Sequence, residues 1–510
     1  MTDNVIQPRD AATADGSAPV RTGIHANTTL VVLFMSLAGL SFAVLQSLVA
    51  PALPAIARDV HSSVSSISWV LTAYLLSAAV TTPILGRLGD IAGKRRILLV
   101  VLVIVAAGTL LAALSSTLTV LIIARAVQGV GGAILPLSIG IVRDELPRHR
   151  VGVSIGLLSA ILGIGGGLGI VLAGPIVDHL SWEWLFWIPL MVVLVALVGV
   201  AIGVPESPVR TPARLDLLGA FTLSTSLVCL LLGVSKGREW GWGSGTIIGL
   251  LVIAAVALVA FVLIELRMHE PLVDLRLMKH RGVWATDLAG LCYGFAMFGL
   301  FLLIPMLLEL PAITGYGFGK TVSGAGLFLL PAAAMMLVFG PLSGLLSHRF
   351  GPKIPLVGGA LLLTIGFAIP AVDHGSTGLL LASVFIIGAG VGLAFAAMAN
   401  AIVEAVPIHH TAEATSVNAI IRTVGGSIGV AVVAAVIAAN TTAQGLPTEH
   451  AFMSAFWVCT AVGVLAIIAS LAVPSKRRLH DEALATGVED IDARDDALAA
   501  ESQEASDRNR

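Results

Sequence analysis

Gly86-Arg87-Leu88-Gly89-Asp90-Ile91-Ala92-Gly93-Lys94-Arg95-Arg96 is the stretch whose reading decides the fold. Two glycines seven residues apart bracket an acid, and a basic run follows the second glycine. Long apolar runs, Ile67–Gly86 and Ile97–Ser115, lie on either side. A hydrocarbon core about 30 Å thick takes roughly 20 apolar residues per helix, so each run is long enough to cross a bilayer. The link is too short for a folded domain, and the two helices are expected to turn back on each other through a tight loop.

Working outward, runs of spanning length recur at Leu30–Leu53, Leu118–Val142, Val151–Pro175, Glu183–Val204, Leu215–Val234 and Thr246–Leu266. The rest are Trp284–Leu308, Val322–Leu346, Ile354–Val372, Gly378–Val403, Thr415–Ala439 and Met453–Val473. With the two beside the opening stretch they make fourteen. A chain of 510 residues that is 57% hydrophobic and 12% charged, with a mean hydropathy of +0.96, is a polytopic all-α membrane protein and not a soluble one. The basic residues follow topology and make no field for nucleic acid. One set of loops carries Arg87, Lys94, Arg95, Arg96, Arg143, Arg148, Arg150, Arg210, Arg214, Arg267, Arg276, Lys279, Arg281, Arg349, Lys353 and Lys476-Arg477-Arg478. The other set has Arg58, Lys236, Arg238 and Lys320. The Lys/Arg bias places the first set, and both termini, in the cytoplasm.

Segments 1–28 and 475–510 are polar, the second strongly acidic, and are expected to be disordered cytoplasmic tails without a cleaved leader. Cys229, Cys292 and Cys459 stand singly in apolar runs and read as packing residues, with neither a metal site nor a disulfide framework.

The opening stretch has a counterpart at Gly344-Leu345-Leu346-Ser347-His348-Arg349-Phe350-Gly351-Pro352-Lys353, with the same glycine spacing and a leucine two residues after the first glycine. It follows the tenth run as the original follows the second. Residues 29–204 and 284–474 are therefore expected to form two pseudo-symmetric six-helix bundles, with two inserted helices and linkers at 205–283. Such repeats mark a transporter whose halves rock about a central site. Glycine runs at Gly163–Gly169 and Gly425–Gly429 occupy corresponding places and serve either close packing or sliding.

With these features the chain resembles the major facilitator superfamily, and within it the fourteen-span drug:proton antiporters of multidrug efflux type. The opening stretch looks like that family's glycine–acid–glycine–basic signature, and Arg125-Ala126-Val127-Gln128-Gly129 like its span-four signature. Gly163 to Pro175 with Ser181–Phe186 is similar to its antiporter motif, and Asn418 to Gly426 to its span-thirteen pattern. Three positions depart from the pattern. Leu45 stands where an aspartate is expected nine residues before Pro54, Ile91 replaces an arginine, and Gly169-Ile170 replaces glycine–proline.

An ionisable side chain inside a spanning helix costs about 2.5–3.5 kcal/mol on insertion scales and is a functional candidate by default. Arg125 and Arg422 are the deepest; Asp287 lies one turn inside span nine and Glu309 at its far end. The expected coupling and conformational set is Gly86, Asp90, Gly93, Arg95, Arg125, Asp287, Glu309 and Arg422. Asp90 suits the N-terminus of a facing helix, where N–H groups and the helix dipole favour an anion. The resemblance implies that it docks on the opposite half when the transporter faces outward, as a latch. A substrate cavity is expected from Gln46, Gln128, Phe295, Phe298, Phe395, Met398, Asn400 and Asn418, a set suited to a lipophilic solute.

The expected function is proton-coupled export of lipophilic compounds such as drugs, antibiotics or dyes, by a monomer that needs no cofactor beyond the proton gradient. Its partners are then a lipophilic small molecule, protons and the bilayer. An exporter of an endogenous lipid, siderophore or secondary metabolite is the nearest alternative. A membrane enzyme would need converging nucleophiles or metal ligands, and a sensor would need an output module; the sequence offers neither signature. Without an acid at Leu45, selectivity is expected to favour neutral or anionic solutes over permanent cations.

Overall fold

The computed structural model describes residues 28–62, 64–206, 215–268, 270–441 and 446–475. Nearly all of both expected tails, and the linker 207–214, lie outside the described residues. Among the described residues, fourteen helices are long and apolar enough to cross a membrane. They are α1 Thr28–Leu53, α2 Trp69–Ala92, α3 Lys94–Ala113, α4 Leu118–Glu145, α5 Arg150–Val177, α6 Trp184–Gly203 and α7 Leu217–Gly237. The second seven are α8 Gly245–Glu265, α9 Arg281–Glu309, α10 Ser323–Phe350, α11 Lys353–Val372, α12 Thr377–Ala405, α13 Ile408–Ala439 and α14 Glu449–Ala472.

Local chemistry fixes several helix starts. The side chains of Thr117, Ser244, Ser376 and Thr448 each accept a backbone N–H of the first turn that has no partner within its helix. Outward faces remain apolar, as lipid contact requires. In α8, Ile248, Val252, Val256, Val259 and Leu263 are exposed, while Ile247, Ala254 and Phe261 face inward. Such a stripe would be exceptional on a soluble protein.

The buried side chains form two large clusters. One runs from Val31 to Val204 and takes in Ala399, Val403 and Ala412 of the second half. The other runs from Ala285 to Val473. Between the halves are two seams, α5 against α10 and α12, and α13 against α2 and α4. The first is packed backbone to backbone: a Cβ on Gly340 would come 2.6 Å from the Gly156 carbonyl, and one on Gly344 would overlap that of Gly152. The α5 glycine run serves two neighbours, with Gly167 against Ala333 of α10 and Gly165 against Ala43 of α1. The α13 run lies instead against α9 of its own half, at Leu291 and Phe295.

The opening stretch differs from expectation in form. It is no loop: α2 stays helical through Ala92, and α3 begins at Lys94. The reversal is concentrated on Gly93, whose φ of 108° is open to glycine and costly for a side chain. Gly351 makes the same turn in the repeat, at φ 85°. An apolar run marks where a helix crosses lipid but not where it ends, since its polar last turns stay helical beyond the membrane. Pro83 and Pro341, each three residues before the first glycine of its copy, extend the repeat into the helix.

Candidate functional site

Helical continuity through Ala92 puts Asp90 in the last turn of α2, on the face toward α13. Its Oδ2 accepts the backbone N–H of Glu413 at 3.0 Å, in the first turn of α13, so a carboxylate of one half caps a helix N-terminus of the other. Lys94, the first residue of α3, brings Nζ to 3.4 Å from Asp90 Oδ1 and donates to Asp144 Oδ2 at 2.7 Å. Asp90 is 1% exposed. The Glu413 carboxylate itself accepts from Arg87 Nη1 at 2.9 Å and lies 2.8 Å from His410 Nδ1. Arg143 of α4 completes the closure by donating to Thr411 Oγ1 and to the Val406 carbonyl. Beneath these contacts Gly86 lets the helices touch, since a Cβ there would overlap Ser416 Oγ.

One turn further into the bilayer the helices part around a cavity of about 560 Å³. Its walls carry Phe42, Tyr74, Phe298, Phe301 and Phe395 with aliphatic residues between them, and the polar groups Gln46, Ser47, Thr82, Thr423, Arg422 and Glu309. Lining residues reach Pro51 at the end of α1 and Glu309 at the end of α9, so the cavity extends toward the face opposite the Asp90–Glu413 contact. A mostly apolar concavity with few polar groups suits a lipophilic ligand.

Two guanidinium clusters flank the cavity. Arg125, fully buried in α4, donates to the carbonyls of Val70 and Leu45 and to Gln128 Oε1 at 2.7 Å. Its charge lies 4.0 Å from the centroid of the Tyr74 ring, which forms cavity wall on its other side. In the second half Asn418 Nδ2 donates to Asp287 Oδ1 at 2.9 Å. Arg422, one turn along α13, lies 4.6 Å from the Phe395 ring and faces the cavity.

Residues 35–430 and 288–494 match the Major Facilitator Superfamily. The chain belongs to that superfamily. It is 29% identical to the multidrug transporter protein MdtP of Bacillus subtilis (strain 168), over 82% of this chain and 77% of that protein. It is 30% identical to the tetracenomycin C resistance and export protein of Streptomyces glaucescens, over 77% of this chain and 73% of that one. Among solved structures, the human organic anion transporter MFSD10 superposes with a TM-score of 0.60 at 16% identity, covering 88% of this chain and 98% of that chain. The proton:xylose symporter XylE superposes with a TM-score of 0.58 at 15% identity, covering 88% and 96%. These likenesses place the fold among superfamily transporters.

Within the superfamily fold, the residues expected for the site separate into three groups. Gln46, Phe298, Phe395, Arg422 and Glu309 line the cavity. Gly86 and Asp90 lie at the closed seam, and Gly93 makes the turn beside it. The remaining residues occupy other places. Arg95 donates to the Ala201 carbonyl at the end of α6 and does not approach Asp90; the cation there is Lys94. Gln128 is spent on Arg125, and Asn418 on Asp287, away from the cavity wall. Asn400 donates to the Ala396 and Gly152 carbonyls between α12 and α5. Phe295 and Met398 are packed in the second core. At Leu45, where the family pattern expects an acid, the main-chain carbonyl accepts from Arg125. Sequence reasoning missed Lys94, Glu413 and Tyr74. Only Lys94 carried a signal, its place four residues after Asp90, just past the Gly93 turn.

Proposed function

We propose that the chain is a proton-coupled exporter of lipophilic compounds, drugs, antibiotics and dyes among them, working by alternating access across the cytoplasmic membrane with both termini in the cytoplasm. The observation that carries the reading is a largely apolar cavity of about 560 Å³, closed toward the basic face by the Asp90–Glu413 contact and extending toward the opposite face. An exporter that has presented its substrate to the outside needs that arrangement. The names of the relatives, a multidrug transporter and a tetracenomycin C resistance and export protein, support drug export.

Asp287 is the carboxylate we assign to the proton. It is buried, held by Asn418, and close enough to Arg422 for the two charges to interact. Arg422 in turn faces the cavity, so a proton on Asp287 changes the field at the substrate wall. The lining charges are Arg422 and Glu309, and Glu309 is exposed at the end of α9. No buried lining acid awaits a cation among the described residues, which favours neutral or anionic solutes over dications. The unit acts as a monomer, is no enzyme, and uses the proton gradient in place of a cofactor.

The test is transport by the purified protein in sealed vesicles under an imposed pH gradient, with solutes of different charge. Saturable, protonophore-sensitive movement of neutral lipophilic dyes is expected. No substrate movement under either direction of the gradient would contradict the reading.

A further inference from the structure

Glu413 has two carboxylate oxygens, and the halves share only one of them. Oε2 takes Arg87 of α2; Oε1 accepts the backbone N–H of Asp274 at 2.6 Å. Asp274 belongs to neither bundle. It lies in the segment 266–280 that follows the inserted pair α7–α8, and its own carboxylate caps the short helix Leu275–Met278.

The inserted pair holds this segment in place. Leu227 and Leu231 of α7 pack on Ala79 of α2 and Ile420 of α13, across the seam that lacks backbone-to-backbone glycine packing at this height. Leu272 and Val273 pack with Ala220 and Phe261, against Ile84 of α2 and Val417 of α13. At the opposite face the buried Lys236 fastens α7 by donating to Ser68 and Glu239, beside the Trp69 ring.

We propose that the segment after the inserted helices is the third arm of the latch: the Asp274 N–H is a positioning group that fixes the Glu413 carboxylate so that it can hold Arg87 while its backbone N–H holds Asp90. A glutamate without that restraint would have to be ordered each time the latch closes, at an entropic cost. The insertion thus biases the transporter toward the state closed at the basic face. This inference rests on reading Asp90–Glu413 as a latch that opens during transport.

Asp274 has φ −70°, which proline adopts, so Asp274→Pro deletes the N–H donor with little change of backbone. Asp274→Ala removes the side-chain cap and keeps the donor. The reporter is the rate at which a membrane-impermeant maleimide labels Ser416→Cys, at the closed seam, from the basic face in a background without native cysteines. D274P is expected to raise that rate about tenfold, as loss of a hydrogen bond to a charged acceptor implies, with D274A within about twofold of the parent. Equal effects of the two variants, or none from either, would overturn the proposal. A second measurement uses no Asp274 variant: amide hydrogen exchange at residues 270–276 should accelerate in D90N, by reciprocity of linked contacts. Unchanged exchange there, in a D90N protein whose Ser416→Cys reporter has opened, would refute the third arm alone. A D90N protein whose reporter stays closed would refute the latch itself.

Discussion

Asp90 and Glu413, 323 positions apart in the chain, are joined across the two halves by a 3.0 Å hydrogen bond from the Glu413 backbone N–H to Asp90 Oδ2. The acceptor is an ionisable group at the end of one helix, and the donor is a first-turn N–H of another. Charge, dipole and hydrogen bond act together there, in a site with little access to water. A contact of this kind stabilises one arrangement of the halves and releases when α2 and α13 separate.

Replacing Asp90 by Asn keeps the shape and removes the charge. A hydrogen bond to a charged group is worth about 1.5–3 kcal/mol and a neutral one, which the Asn oxygen still accepts, about 0.5–1.5 kcal/mol, so the closed population should fall several-fold. Drug efflux by cells expressing D90N should drop accordingly while the amount of protein in the membrane is unchanged. Efflux at the parental level would contradict the role given to Asp90.

The glycine contacts make a graded prediction. Gly86→Ala sets a methyl against Ser416, and Gly344→Ala sets one against the Gly152 carbonyl, so both should impair closure of the halves and slow transport severely. Gly358→Ala meets nothing within 4 Å and should stabilise α11 slightly, by roughly 0.5–1 kcal/mol. Melting curves and transport rates of the three variants provide the check.

Arg125 touches main-chain carbonyls, Gln128 and the Tyr74 ring, but not the cavity. Arg125→Ala should therefore abolish uphill transport while binding of a lipophilic dye, read by equilibrium dialysis, changes by less than a few-fold. Arg125→Lys should not restore transport, because a point charge cannot reach two carbonyls and an amide together. Full activity in either variant would remove Arg125 from the mechanism.

Phenylalanines of α9 differ by the side they face. Phe298→Ala on the cavity wall should weaken dye affinity with little loss of stability. Phe295→Ala in the core should cost about 3–5 kcal/mol of stability, as buried aromatic truncations do. Thermal unfolding beside binding titrations separates the two effects.

The contrast between these two residues also marks how far the sequence can be read. The fourteen spans and the paired turns were legible because lipid demands long apolar runs and because only glycine is comfortable at the φ of Gly93 and Gly351. Which face of a helix looks into the cavity was not. Around Phe295, Phe298 and Phe301 the helix is apolar on every side, so no amphipathic stripe points inward. Asp90 could be singled out from its glycine frame, yet its partner could not, since Glu413 lies in an unremarked stretch at the far end of the chain. Among three adjacent basic residues the expectation fell on Arg95, whereas the helix that ends at Ala92 and the turn at Gly93 bring Lys94 to Asp90.

The most direct test of the latch is the distance across the basic face, measured by pulsed electron resonance between spin labels at the exposed positions Arg96 in the first half and Arg349 in the second. Two distances should be resolved in lipid, exchanging weight when pH or a transported dye is changed, with D90N shifting weight to the longer one. A single distance that neither pH, dye nor D90N alters would contradict alternating access through the Asp90–Glu413 latch.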